Sequence, residues 1–181
     1  MSEVMIDIET MSCSSNASII TIAAVKFNRN DNIKPLVDMK TFYVKITHES
    51  CKKLKLHFDK ETEKWWKTQT KETQKEIFDE EGRIDLQIAL IQLSDFIGES
   101  SHIWANSPNF DCVILENAYN KCKIKIPWVY YKLRDTRTIY DIASINLKCF
   151  SSSNQKHNAL HDCYSQINAL KKSISDLSKG F

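Results

Sequence analysis

Four acidic side chains fall where the sequence otherwise predicts buried structure. Asp7 and Glu9 end a nearly continuous apolar run, and a spacing of two places both side chains on one face of a strand. Asp111 and Asp162 lie on or beside the apolar faces of two predicted helices. A buried carboxylate is costly unless it is paired, protonated or bound to a cation. Since these three segments contain no arginine, we expect divalent cations, and all-oxygen ligands favour Mg²⁺ or Mn²⁺ over zinc.

Each acid also has an ordinary structural interpretation when it is taken alone. Asp7 and Glu9 are compatible with a solvated pair at a strand end, and Asp111 with a helix N-terminus that it stabilises. His157 and His161, four residues apart, would suit a zinc pair on one helix face. No Glu lies between the two histidines and no cysteines follow finger spacing, so zinc is disfavoured. The metal hypothesis therefore depends on the joint placement of the four acids.

The elements that must position these acids follow from hydrophobic periodicity. Strands are predicted at 4–8, 18–27, 41–46 and 102–105. Helices are predicted at 59–70, 85–97, 110–121, 138–145 and 158–177, with a polar loop at 151–156. This order predicts an α/β fold in which helices pack on a mixed sheet. At 181 residues, the chain is expected to form a single domain over 1–181.

Composition excludes several classes of function. Lys plus Arg is 25 and Asp plus Glu is 23, so the net charge of +2 allows only a local basic patch. With three glycines, the chain has no phosphate-binding glycine loop, dinucleotide fingerprint or G-x-S-x-G elbow. Six scattered cysteines without a C-x-x-C pair favour free thiols. With no apolar stretch near the roughly 20 residues of a membrane span, we expect a cytoplasmic protein that does not contact membranes.

Three ordered motifs resemble those of the DEDDh 3′→5′ exonucleases. Asp7-Ile8-Glu9-Thr10 is similar to the first motif and Asn106-Ser107-Pro108-Asn109-Phe110-Asp111 to the second. His157-Asn158-Ala159-Leu160-His161-Asp162 matches the third, H-x-A-x-x-D. Further segments, 16–25, Trp65-Trp66-x-x-Gln69 and 134–138, resemble the small phage-type exonuclease and bacterial exoribonuclease branch. The motifs span most of the chain, from position 7 to position 162.

The resemblance implies a ribonuclease H-like fold, with a central mixed five-stranded sheet flanked by helices. It also implies that two Mg²⁺ or Mn²⁺ ions support hydrolysis from the 3′ end to nucleoside 5′-monophosphates. The implied metal ligands are Asp7, Glu9, Asp111 and Asp162. His157 would be the general base, since its ordinary pKa of about 6.5 leaves neutral imidazole available. The alternative is a catalytically weak or inactive nucleic-acid-binding module of the same fold.

Substrate contacts are predicted around these motifs. The residues implied are Thr10, Met11, Asn106, Phe110, Trp66 and Arg137. Trp65 and Trp66 point about 100° apart on a helix, so one of the two is expected in the core. Segment 117–134 combines basic residues and aromatic rings without an acid, which suits either a single-strand groove or a core with a solvated face. The expected partner is a single-stranded 3′ end, of RNA or DNA, and a homodimer is one route to processivity.

Overall fold

The architecture is a six-stranded mixed sheet with helices on both faces. The computed structural model describes residues 2–150 and 157–179, and the predicted loop at 151–156 lies outside them. The strands are β1 Glu3–Thr10, β2 Ile19–Phe27, β3 Lys40–Ile46, β4 Arg83–Ile84, β5 Ile103–Ala105 and β6 Leu133–Asp135. Their order across the sheet is β4-β3-β2-β1-β5-β6. The predicted mixed α/β sheet is confirmed, and the two-residue β4 adds a sixth strand at one edge.

Strand β1 is central and sets the geometry of the sheet. It pairs antiparallel with β2, placing Asp7 opposite Ala23 and Glu9 opposite Thr21. On its other side β1 runs parallel to β5, and β5 runs parallel to β6. The carboxyl ends of these three parallel strands therefore share one end of the sheet. Asp7, Glu9 and the Asn106 that follows β5 all belong to that end.

Seven α-helices surround this sheet in the described part of the chain. They are α1 His48–Lys53, α2 Lys60–Trp66, α3 Lys71–Phe78, α4 Leu86–Ile97, α5 Asp111–Cys122, α6 Thr136–Ile142 and α7 Ala159–Lys179. The helix predicted at 59–70 stops at Trp66, and a new helix starts after Thr70, whose hydroxyl accepts the Thr73 N–H. Helix α1 was not predicted, and α6 begins before position 138 because Asp135 caps it by accepting the Thr138 N–H.

Alternation along β1 divides the core between the two faces of the sheet. Val4, Ile6 and Ile8 pack on one side with residues of α4 and α5. Met5 packs on the other side, in the cluster that includes Cys163 and other residues of α7. Asp7 and Glu9 continue the Met5 face, since side chains alternate along a strand. The carboxylates therefore point to the side of the sheet that α7 covers.

Two broader expectations can be compared with the described residues. All six cysteines are free thiols, as the absence of a C-x-x-C pair suggested. None of the helices described at 2–150 and 157–179 is both long enough and apolar enough to cross a membrane.

Candidate active site

The three acids from β1 and α7 converge on one small space. Asp7, Glu9 and Asp162 each contribute a carboxylate oxygen, and these oxygens lie within 4.8 Å of one another. Asp111, the first residue of α5, is buried beside them, and its Oδ1 accepts the Ile8 N–H at 3.3 Å. The convergence excludes the interpretation of these acids as scattered surface groups.

Electrostatics make this space unfavourable for four ionised carboxylates. Burial raises the pKa of Asp7 well above its usual value, and the charges of Asp111, Glu9 and Asp162 raise it further. Burial, followed by Asp162 and Asp111, has the same effect on the pKa of Glu9. Burial also raises the pKa of Asp111 to about 7, despite N–H donors that lower it and the nearby charge of Arg137. The pKa of Asp162 rises to about 6 through burial, opposed by a hydrogen bond from the His157 backbone.

The arrangement fits divalent cations. Its donors are all carboxylate oxygens, which suit hard cations such as Mg²⁺ and Mn²⁺. None of the ion pairs formed among the described residues involves any of the four carboxylates. Among the described residues, the site is therefore a cluster of negative charge, with Arg137 acting on Asp111.

His157 lies directly before α7, in left-handed backbone with φ of 61°. Its imidazole packs edge-on against two aromatic rings of α2, with centroids 5.0 Å away for Trp65 and 5.8 Å away for Trp66. The hydrogen bond from its backbone to Asp162 ties it to the carboxylate cluster. The third motif thus brings the histidine and the last acid to the same site.

Two of the predicted substrate contacts, Trp66 and Met11, are buried. Trp66 is only 2% exposed, and its Nε1 donates to the Thr10 carbonyl at 3.0 Å. Met11 is buried in the same cluster, against Ile20 and Trp66. Trp65 is 44% exposed, so it is the member of the tryptophan pair that faces solvent. The sequence predicted correctly that the pair divides between core and surface, and Trp66, the predicted contact, is the buried member.

The remaining predicted contacts occupy different surroundings. Asn106 and Arg137 line an open cavity of about 530 Å³ whose wall includes Tyr140. Phe110 is half-buried against the core beside α5. Thr10 is buried, and its hydroxyl donates to the Ser12 carbonyl at 2.7 Å. Asn106 and Arg137 therefore remain the members of this group that face open space near Asp111.

The basic and aromatic segment 117–134 divides between the two interpretations. Tyr119 and Trp128 are buried, and the Trp128 Nε1 donates to Glu116 at 2.7 Å, as in a core. Tyr130 and Tyr131 are exposed, but they precede β6, at the amino ends of the parallel strands. The carboxylates lie at the carboxyl ends. The exposed rings are therefore not part of the carboxylate site.

Sequence reasoning did not identify Gln166 as part of the site. This residue is buried in α7, and its Nε2 donates to Asp7 Oδ1 at 2.7 Å. The available signal was its spacing of four from Asp162, which places both side chains on one helix face.

Comparisons with known proteins show which family the chain resembles. The family described as the 3′-5′ exoribonuclease Rv2179c-like domain matches residues 2–174. An exodeoxyribonuclease of Enterobacteria phage T4 is 25% identical over 205 residues, which cover 96% of this chain and 89% of that protein.

Solved structures support the predicted fold. The zinc-bound E. coli ExoI–ssDNA complex superposes with a TM-score of 0.65 at 14% identity, covering 99% of this chain and 40% of that one. An ExoI/SSB-Ct complex gives a TM-score of 0.68 at 14% identity, covering 98% and 42%. The chain thus spans about two fifths of those exonuclease I chains. The likeness confirms the ribonuclease H-like fold.

Proposed function

Since this chain belongs to the 3′-5′ exoribonuclease Rv2179c-like domain family, a family of metal-dependent 3′–5′ exonucleases, we propose that it hydrolyses single-stranded nucleic acid from the 3′ end and releases nucleoside 5′-monophosphates. The observation that carries this proposal is the convergence of half-buried carboxylates from β1 and α7, which form no ion pair with any described residue. We assign the activity to one domain over residues 1–181. Cytoplasmic location and homodimer formation remain predictions of the sequence.

The four carboxylates would hold two divalent cations, Mg²⁺ or Mn²⁺. The carboxylate oxygens of Asp7, Glu9 and Asp162 lie close enough together to bind the same cation, and Asp111 borders them. When bound, such a pair of ions lowers the pKa of a water and stabilises charge on the attacking and leaving oxygens. The carboxylates contribute by staying ionised and by fixing where that positive charge is held.

His157 would take the proton from the water that attacks the phosphorus atom. Its backbone is hydrogen-bonded to Asp162, and Trp65 and Trp66 pack against its ring and limit its orientation. A neutral imidazole nitrogen is an effective base near neutral pH. The proton leaves the water as the new P–O bond forms, and the 3′-oxygen of the preceding nucleotide leaves.

The terminal nucleotide would lie between Trp65 and the cavity that Asn106 and Arg137 line. An exposed indole offers a flat face for a base, and a guanidinium offers donors and charge to a phosphate. Neither feature distinguishes ribose from deoxyribose, for which a contact to the 2′-hydroxyl is needed. The proposed substrate is therefore single-stranded RNA, DNA or both.

The direct test uses single-stranded RNA and DNA oligonucleotides, each labelled at the 3′ or the 5′ end. With Mg²⁺ or Mn²⁺, we expect a 3′ label to appear at once as a mononucleotide, while a 5′ label shortens stepwise. EDTA should stop the reaction, and added metal should restore it.

The control is Asp111→Asn, because an amide oxygen can still accept the Ile8 N–H while the negative charge is lost. We expect cleavage to fall by at least about a thousandfold, roughly 4 kcal/mol in activation free energy, in a folded protein. Release of a 5′ label first, or full activity in EDTA, would contradict the proposal. Binding of oligonucleotides without cleavage would favour the inactive binding module.

A further inference from the structure

We infer that Gln166 is a positioning residue, which orients the Asp7 carboxylate for cation binding without touching the substrate. This inference rests on the proposed function, since it concerns the same group of acids. The Gln166 Nε2 donates to Asp7 Oδ1 at 2.7 Å, and Gln166 is 3% exposed. A short, buried hydrogen bond of this kind fixes both the rotamer of the carboxylate and the oxygen that remains available.

Helix α7 carries both the proposed ligand and the proposed orienting group. Asp162 and Gln166 are four residues apart, so the two side chains lie one turn apart on one face. The backbone at Gln166 is itself fixed from the neighbouring helix, since the Tyr140 hydroxyl donates to its carbonyl at 2.8 Å. Helix α6 therefore fixes the backbone from which the Gln166 side chain extends.

Packing alone would favour an apolar residue at this position. The α7 residues that pack on this face of the sheet include Cys163, Ile167 and Leu170, all buried. The Gln166 Oε1 is buried and has no hydrogen-bond partner among the residues described. An apolar side chain of the same length would avoid the cost of burying that oxygen. The amide is thus explained by its bond to Asp7 and not by the core.

A neutral donor suits a carboxylate that must bind a cation. At the other end of β1, the buried Glu3 carboxylate is held by the guanidinium of Arg29. Such a charge next to Asp7 would neutralise it and repel a metal ion. An amide N–H uses one of the roughly four acceptor sites of the carboxylate and leaves the others free. Gln166 therefore orients Asp7 without competing for its charge.

The test is Gln166→Met, which keeps the length of the side chain and removes the donor. Calorimetric titration of the metal-free full chain with Mn²⁺ measures affinity without any nucleic acid. Because groups that orient metal ligands typically contribute 10–100-fold in affinity, we expect Mn²⁺ binding to weaken by roughly that factor. In the oligonucleotide assay kcat should fall while KM is unchanged, because the substrate does not contact the residue.

Asn168→Leu is the matched control. Asn168 lies on the same helix, and its Oδ1 is also buried without a partner among the described residues. The described hydrogen bond to Asp7 comes from Gln166 and not from Asn168. We expect its Mn²⁺ affinity to equal that of the unsubstituted chain. If Gln166→Met does not fold, Gln166→Asn keeps the amide but withdraws it by one methylene, and it should weaken Mn²⁺ binding as well.

The outcomes separate this inference from the proposed function. If the unsubstituted chain binds Mn²⁺ and the folded Gln166 variant binds it equally well, the role of Gln166 is overturned and the metal site stands. Equal weakening in the Gln166 and Asn168 variants would assign the effect to helix packing and would also overturn it. If the unsubstituted chain binds no Mn²⁺, the proposed metal-dependent function itself fails.

Discussion

The two ends of strand β1 both carry carboxylates, in different surroundings. At the amino end, the Glu3 side chain is 4% exposed and accepts from Arg29 Nε at 3.0 Å and Nη2 at 2.5 Å. His102 Nδ1 lies 3.1 Å from the same carboxylate. At the carboxyl end, Asp7 and Glu9 face Asp162 and Asp111. The hydrogen bond that the Asp7 carboxylate accepts among residues 2–150 and 157–179 comes from the neutral amide of Gln166. We call these the paired end and the open end.

The presence or absence of a paired cation gives the two ends different effects on stability and on cation binding. A buried carboxylate with its own cation is complete within the protein, and breaking the pair leaves an uncompensated charge. Carboxylates whose pKa values are raised by burial and by one another are complete only when protonated or bound to a cation. The paired end thus stabilises the fold. The open end lowers the free energy of unfolding of the metal-free protein, and its clustered carboxylates are suited to binding a cation.

The largest expected effect on stability comes from breaking the paired end. Arg29→Met leaves Glu3 buried without its main cation, and we expect the free energy of unfolding to fall by about 3 kcal/mol. Chemical denaturation measures this change. Lys34→Met is the control, since Lys34 pairs with Asp31 at 3.9 Å on the surface, and it should cost less than about 1 kcal/mol. Equal losses in the two variants would remove the distinction between the ends.

Substitution at the open end should act in the opposite direction. In EDTA we expect Asp111→Asn to raise the free energy of unfolding by about 1–2 kcal/mol at pH 8, because it removes a buried charge that also repels Asp7. Thermal and chemical denaturation of both proteins measure the gain. Added Mg²⁺ should stabilise the unsubstituted chain more than the variant. A destabilised Asp111→Asn protein in EDTA would contradict this account of the open end.

The gain in the free energy of unfolding from Asp111→Asn should depend on pH within a defined range. The pKa of Asp111 is raised to about 7 in the folded protein, against about 3.9 in the unfolded chain. A raised carboxyl pKa gives stability that is present below the unfolded pKa and lost as the pH rises through the folded one. The difference between the proteins should therefore be small at about pH 4, grow up to about pH 7 and then level off. A difference that is constant over this range would exclude the titration of Asp111 as its cause.

The smallest expected effect on activity comes from Trp65, the exposed ring beside His157. Trp65→Ala removes the exposed ring that packs against His157. We expect kcat/KM for oligonucleotides to fall about tenfold, since a base-stacking ring typically contributes 1–3 kcal/mol. Tyr131→Ala is the control, because Tyr131 is 63% exposed before β6, at the end of the parallel strands that carries Glu3. A similar loss in both variants would place the nucleic acid along segment 117–134 as well.

The acids and the main elements were predictable from local patterns. Asp7 and Glu9 follow an apolar run with a spacing of two, and Asp162 lies beside the apolar stripe of a long helix, so strand and helix periodicity placed them. The α2–α3 break was not predicted, because it depends on the capping hydroxyl of Thr70 within a polar stretch that has no clear periodicity. Strands β4 and β6, of two and three residues, are too short to carry a periodic signal.

The sequence by itself determined the order of the motifs, the oxygen-only chemistry of the acids and the faces on which they lie, because spacing along a strand or helix fixes direction. Only the tertiary structure decided which tryptophan reaches solvent, that Gln166 meets Asp7, and that Arg29 pairs with Glu3. The Arg29–Glu3 pair depends on the antiparallel pairing of β1 with β2, which sets Glu3 opposite Phe27, whereas the other two features depend on the packing of helices on the sheet. Their distances depend on how α2 and α7 are set against β1, which local periodicity does not encode.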